Sequence, residues 1–134
     1  MKYELTPELE TGNTLIDNEH RELFRMINVL QDACSQGKGR DQIASASKFL
    51  LDYVNKHFGD EEVLQKKTNY PGFPTHHQFH EEYKRQLKVT VTELNSETLG
   101  IASLAKLNQK IGTLISHIKI EDKKLAVHVK ASGQ

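Results

Sequence analysis

Apolar residues recur along this chain at alternating spacings of three and four, the period of a helix that buries one stripe. Four such stripes stand between clusters of glycine, proline and polar residues. Ile16, His20, Leu23, Ile27, Leu30 and Cys34 form the first and predict a helix from about Asp17 to about Gln36. Ile43, Ala46, Leu50, Tyr53, His57, Glu61 and Leu64 form the second, over 41–67, with Asp41 as its N-cap. His76, His80, Tyr83, Leu87, Val91 and Leu94 form the third, over 74–94, with Pro74 in its first turn. Ile101, Leu104, Asn108, Ile111, Leu114 and His117 form the fourth, over 97–119, with Ser96 as its N-cap. A short helical tail is predicted over 122–131.

The breaks "QGKGRD" and "NSETLG" are short turns, and "NYPGFPT" is a longer link stiffened by proline. Short connections make successive helices antiparallel neighbours. The predicted fold is therefore all-α, an up-down-up-down four-helix bundle with an N-terminal arm and a short tail helix, as one domain over 1–134.

Composition removes some functions. Lys+Arg and Asp+Glu are both 18, for a formal net charge of +0, so no basic footprint for nucleic acid or a membrane surface is expected. No stretch approaches the ~20 apolar residues of a membrane span. "MKYELTPELETG" lacks the apolar run of a signal peptide. Cys34 is the single cysteine, which allows no internal disulfide and points to a reducing compartment, the cytoplasm. The unusual feature is seven histidines against four tyrosines and no tryptophan.

Five of those histidines lie on apolar seams: His20, His57, His76, His80 and His117. One such residue is usually a satisfied core histidine, but five on four helices need another reason. Their heights supply it. His20 opens the first helix, His57 and Glu61 close the second, His76 and His80 open the third, and His117 closes the fourth, with Asp122 just beyond. In an up-down bundle these places share one end, so the groups converge on one level of the core. His57 with Glu61, and His76 with His80, are four apart and project from one face. His117 and Asp122 are five apart, about 140° off-face in an ideal helix. An irregularity, such as a π-type bulge or an unwound turn, is therefore expected between Ser116 and Lys123.

Five imidazoles and two carboxylates are too many for one zinc but suit two six-coordinate metals sharing bridges. Imidazole with a minority of carboxylate favours iron, copper or nickel over calcium or magnesium. Carboxylate-rich di-iron enzymes use Glu-x-x-His pairs, which these seams lack. A histidine-rich pair of irons has fewer anionic ligands to stabilise highly oxidised metal, which favours binding oxygen over cleaving it.

The neighbours of these residues read more plainly. Glu19, Glu22, Glu62, Glu81, Glu82 and Glu121 are expected on solvated faces. His77 shares a face with Glu81, Lys84 and Lys88 and is expected to be a bystander whose replacement leaves oxygen binding intact. Tyr53 and Tyr83 are expected to pack with tethered hydroxyls. Gly59, which costs ~1 kcal/mol inside a helix, would be explained by close packing beside the site. Cys34 is expected to be a small buried hydrophobe.

"IDNEH", "HFGDEE", "YPGFPTHHQFH" and "HIKIED" together resemble the hemerythrin family, specifically its single-domain bacterial members, over nearly the whole chain. The resemblance implies two non-haem iron ions with an oxo or hydroxo bridge and dioxygen as ligand. It implies that His76, His80 and His117 hold one iron, that His20 and His57 hold the other, which keeps a position open for oxygen, and that Glu61 and Asp122 bridge them. It also implies an oxygen pocket at Leu114 and Phe58. Family members often carry tryptophan just before the pocket leucine. Here that place is Thr113, so a roomier, wetter pocket and faster autoxidation are expected.

The function so implied is reversible oxygen binding for storage, transport or delivery, by a protein that is not an enzyme. It would work as a monomer or weak oligomer. The rivals are oxygen or redox sensing through a separate protein partner, a peroxidase or nitric-oxide-reducing enzyme, and an iron buffer.

Overall fold

The computed structural model describes residues 3–36, 40–94 and 101–133, with Arg40 and residues 101–104 described by backbone alone. Asn13 caps the first helix, its side-chain oxygen accepting from the Ile16 N–H at 3.0 Å, so α1 runs Thr14–Ser35. Asp17 therefore lies in the first turn, where an acid suits the helix dipole. Its carboxylate accepts from the Thr11 N–H (2.9 Å), the Thr11 hydroxyl (2.7 Å) and the Gly12 N–H (3.1 Å), which ties the N-terminal arm to α1. A single 3-10 turn, Pro7–Leu9, lies in that arm.

The remaining helices are α2 (Arg40–Lys67), α3 (Phe73–Leu94), α4 (Ile101–His117) and α5 (Lys123–Ala131). A π turn, Ile118–Asp122, joins α4 to α5 where the spacing of His117 and Asp122 demands an irregularity. The expected cap at Ser96 lies outside the described residues, as do the side chains of Ile101 and Leu104. Among the described residues there is no strand, and no helix is long and apolar enough to cross a membrane.

Cross-helix contacts fix the antiparallel order. Glu93 pairs with Lys106 at 3.1 Å, the Tyr83 hydroxyl donates to the Lys110 carbonyl at 2.9 Å, and His76 meets His117 at 2.8 Å. Rising numbers on α3 thus meet falling numbers on α4. The result is an all-α bundle with α1–α2, α2–α3 and α3–α4 packed as neighbours.

The main core runs along the bundle axis through Leu23, Phe24, Leu50, Phe58, Leu87, Ile111 and Leu114. A second, smaller cluster joins Ile16 to Leu125, Ala126 and Val129 of α5, with Leu64 and Tyr70 against it. Two seams differ from expectation. On α4 the buried residue is Leu107, while Asn108 is exposed and accepts from Gln31 of α1. On α2, Val54, Phe58 and Gln65 are buried, whereas Tyr53 and Leu64 are half-buried. A helix wedged between two neighbours buries an arc wider than one stripe, so residues 100° apart can both be inside. Gly59 is exposed, and a Cβ built there meets nothing within 4 Å, so close packing does not account for it.

Candidate metal centre

All seven candidate ligands come together, buried. His20 Nε2 lies 3.0 Å from Asp122 Oδ2 and 3.8 Å from Glu61 Oε2, and His57 Nε2 lies 3.4 Å from Glu61 Oε2. On the other side, His80 Nε2 lies 3.2 Å and His76 Nε2 3.8 Å from Glu61 Oε1. His76 and His117 each place Nε2 3.1 Å from Asp122 Oδ1. Each carboxylate therefore turns one oxygen to a three-histidine group and the other to a two-histidine group. That is a bridging arrangement. It yields two overlapping sets of candidate ligands, Glu61 with His76, His80 and His117, and His20 with His57, Glu61 and Asp122.

Two backbone devices deliver the carboxylates. Glu61 comes from a regular stretch of α2, one turn after His57. Asp122 comes from the π turn, which brings it onto the face of His117. The layer lies between the main core and the α5 cluster, and both groups of apolar side chains shield it.

Electrostatics prepare the residues for cations. Burial lowers the pKa of His57, and burial with repulsion from His76 lowers that of His80 to about 2, so both rings present neutral lone pairs. Burial first, and then the charge of Asp122, raises Glu61 above the usual carboxylate range. His20 Nε2, His57 Nε2, His80 Nε2, Asp122 Oδ1 and both Glu61 oxygens are buried without a hydrogen-bond partner among the described residues. Buried polar atoms are rarely left so, and metal ions would satisfy all six at once. The donor set thus fits a pair of transition-metal ions.

Sequence reasoning missed the residues that hold the candidate ligands. Glu19 is buried, not solvated, and its Oε1 accepts from His57 Nδ1 at 2.8 Å. Glu62 is also largely covered. Its Oε2 accepts from His80 Nδ1 at 2.9 Å and its Oε1 from His77 Nδ1 at 2.7 Å. His77, expected on a solvent face, is half-exposed and hydrogen-bonds to the same carboxylate as His80. Such outer partners set the tautomer that leaves Nε2 free for metal. Phe58 stacks on His80 (3.8 Å between centroids, 4°), and Phe79, which the seams did not include, stacks on His117 (3.9 Å, 6°). Glu22, Glu81 and Glu82 do pair with surface cations, as expected.

The two remaining pocket candidates separate. Leu114 is fully buried within the main core, to which Phe58 also belongs. Thr113 is exposed and returns its hydroxyl to the Gln109 carbonyl at 3.1 Å. One residue along a helix is a 100° step, which carries Thr113 off the face that Leu114 buries, so the expectation of a wetter pocket through Thr113 has no support in its placement.

The profile described as the Hemerythrin HHE cation binding domain matches residues 11–129. A bacteriohemerythrin of Pseudomonas paraeruginosa is 39% identical over 80 residues, 60% of this chain and 52% of the relative, so the matched stretch spans about half of that protein. A hemerythrin-like protein of Naegleria gruberi is 33% identical over 113 residues, 84% of this chain and 82% of the relative. A myohemerythrin of Riftia pachyptila is 30% identical over 104 residues, covering 78% and 74%. With the seven buried donors on one level of a four-helix bundle, these matches show that the chain belongs to the hemerythrin family.

Proposed function

We propose that the chain binds dioxygen reversibly at a pair of non-haem iron ions, to store, carry or deliver it. The observation that carries this reading is the asymmetry of the two donor groups. Both share Glu61 and Asp122, but one has three imidazoles and the other two. An ion held by His20 and His57 has one protein ligand fewer, which leaves room for a small exogenous ligand. Iron held by these residues would supply the reversible one-electron chemistry at each ion that binding and releasing dioxygen requires.

The protein's own residues do the rest. Glu19 and Glu62 hold His57 and His80 in the tautomer that presents Nε2. Phe58, Leu114 and Ile118 keep water from the inner side of the layer, which favours release of oxygen over loss of an oxidised product.

A test reduces the iron-loaded protein without air, admits oxygen, and follows the absorption spectrum together with iron analysis. Two irons per chain and a coloured adduct that disappears when oxygen is removed are expected, and His57→Ala should abolish the adduct. Irreversible oxidation at first exposure, or steady turnover of peroxide, would overturn the reading. One observation favours sensing as a second reading: Asp122 is joined directly to α5, so a change at that ligand reaches the helix that closes the bundle. Oxygen-dependent protease sensitivity confined to α5 would support it.

A further inference from the structure

His80 is held from outside the centre by two residues in series. A carboxylate only accepts, so each ring nitrogen facing Glu62 carries its proton. His80 Nδ1–H donates to Glu62 Oε2 at 2.9 Å, and His77 Nδ1–H donates to Glu62 Oε1 at 2.7 Å. The side chains of His80, Glu62 and His77 are 0%, 16% and 43% exposed, so the series runs from the interior to solvent. The ring of Phe73 lies nearly parallel to His77, at 5.5 Å and 18°, and limits the planes that ring can take.

Glu62 has three rotatable bonds and stands beside Glu61 at the edge of the α2–α3 interface. With one partner it can swing to water at the cost of one hydrogen bond. With two partners both oxygens are assigned and the side chain has one position. That position decides the chemistry of His80. While Glu62 accepts from Nδ1, the Nε2 lone pair faces the centre, 3.2 Å from Glu61 Oε1. Without Glu62 the proton can move to Nε2, bond to Glu61, and remove that lone pair from the donor set.

We propose that His77 is a positioning residue for the metal centre, which by holding Glu62 fixes the Nδ1–H tautomer and ring orientation of His80. The proposal rests on the reading of His80 as a metal ligand. It gives a task to the one histidine of "THHQFH" that lies off the buried seam.

The test compares wild type, His77→Ala and His77→Gln, whose amide N–H can still donate to Glu62. In the metal-free, histidine-labelled protein, long-range proton–nitrogen correlation reads the His80 tautomer and the solvent exchange of its Nδ1–H. Release of Co(II) to a chelator is then timed. Loss of an outer partner costs about 10–100-fold in affinity, and His77 is one bond further out, so His77→Ala should release Co(II) about three- to tenfold faster. Its His80 Nδ1–H should exchange about tenfold faster, and His77→Gln should restore most of both. An unchanged tautomer and exchange rate in His77→Ala would overturn the proposal, whatever happens to Co(II). So would a His77→Gln that behaves like His77→Ala. If wild type fails to take up two ions, the ligand reading falls, while the metal-free spectra still decide the link from His77 to His80.

Discussion

Replacing Glu19 tests whether the carboxylate behind His57 is part of the centre or a buried accident. Glu19 Oε1 accepts from His57 Nδ1 at 2.8 Å, and its Oε2 lies 3.0 Å from Lys56 Nζ. The Lys56 side chain is 60% exposed, so solvent screens that ion pair and it contributes little. The bond to His57 is buried and involves a charged acceptor, worth roughly 1.5–3 kcal/mol against about 0.5–1.5 for a neutral amide. Glu19→Gln should therefore lower the stability of the metal-free protein by about 1 kcal/mol. Glu19→Ala leaves His57 Nδ1 with no partner and should cost about 2–3 kcal/mol. Glu19→Ala frees the His57 ring, and metal uptake should weaken by roughly 10–100-fold, while Glu19→Gln, whose amide oxygen still accepts from Nδ1, should weaken it less.

The pH dependence has a definite sign. Burial raises the Glu19 carboxyl, but the hydrogen bonds to it, His57 first, outweigh burial and hold it at about 2 against 4.5 for the free side chain. A depressed acid contributes stability that is fully present above the unfolded value and is lost as pH falls toward the folded one. Wild type should therefore lose part of its stability between about pH 5 and pH 2, and Glu19→Ala should lack that part. Urea unfolding of the metal-free protein across that range, with Co(II) competition against a coloured chelator at neutral pH, measures both effects. A Glu19→Ala protein with wild-type Co(II) affinity and wild-type acid sensitivity would refute the reasoning.

Other outcomes follow from single observations. Gly59→Ala should raise unfolding free energy by up to about 1 kcal/mol, because a helical Cβ there meets nothing; a loss in urea titration would show a contact that the structure lacks. In the metal-free protein Glu61 keeps its proton above the usual carboxylate range, so stability should fall as pH rises from 4.5 toward its raised value. Ion uptake must remove that proton and should tighten with pH; a weakly buffered titration without proton release would contradict this. Leu114→Ala opens the buried side of the layer and should speed autoxidation of the iron-loaded protein, whereas Thr113→Trp should leave the rate unchanged.

How far the centre was legible depended on direction. Residues that point at the bundle axis announce themselves, because histidine or glutamate on an apolar stripe is anomalous. His20, His57, Glu61, His76, His80 and His117 stood out in that way, whereas Asp122 lay off the stripe and came in only through its closeness to His117 at the same end of the bundle. Glu19, Glu62 and His77 sit one position from a ligand, and a single helix viewed alone places them toward water. The neighbouring helix removes that water. Glu19 faces α2 and meets His57, while Glu62 and His77 meet across α2 and α3. A usable signal existed: a carboxylate next to a ligand, at the height of an imidazole on the adjoining helix. Asn108 and Thr113 failed in the opposite sense. Each lies one step from a buried leucine, and a 100° step carries it off the face that the leucine buries.

The π turn shows why completing the donor set and closing the bundle belong to one structural event. Continued as a regular helix, α4 would carry Asp122 about 140° away from His117. The wider turn instead brings Asp122 Oδ1 to 3.1 Å from His117 Nε2, with its other oxygen 3.0 Å from His20. The same turn re-aims the chain, so that Leu125, Ala126 and Val129 cover Ile16 and seal the open end of the layer. Glu61 needs no such device, because its α2 neighbours His57 and Gln65 continue the same inward face. One bridging carboxylate is thus fixed by a rigid helix and the other by the junction that admits the last helix. Any loosening of α5 therefore acts on Asp122 before it acts on Glu61, and reaches both histidine groups through its two oxygens, His20 through one and His76 with His117 through the other.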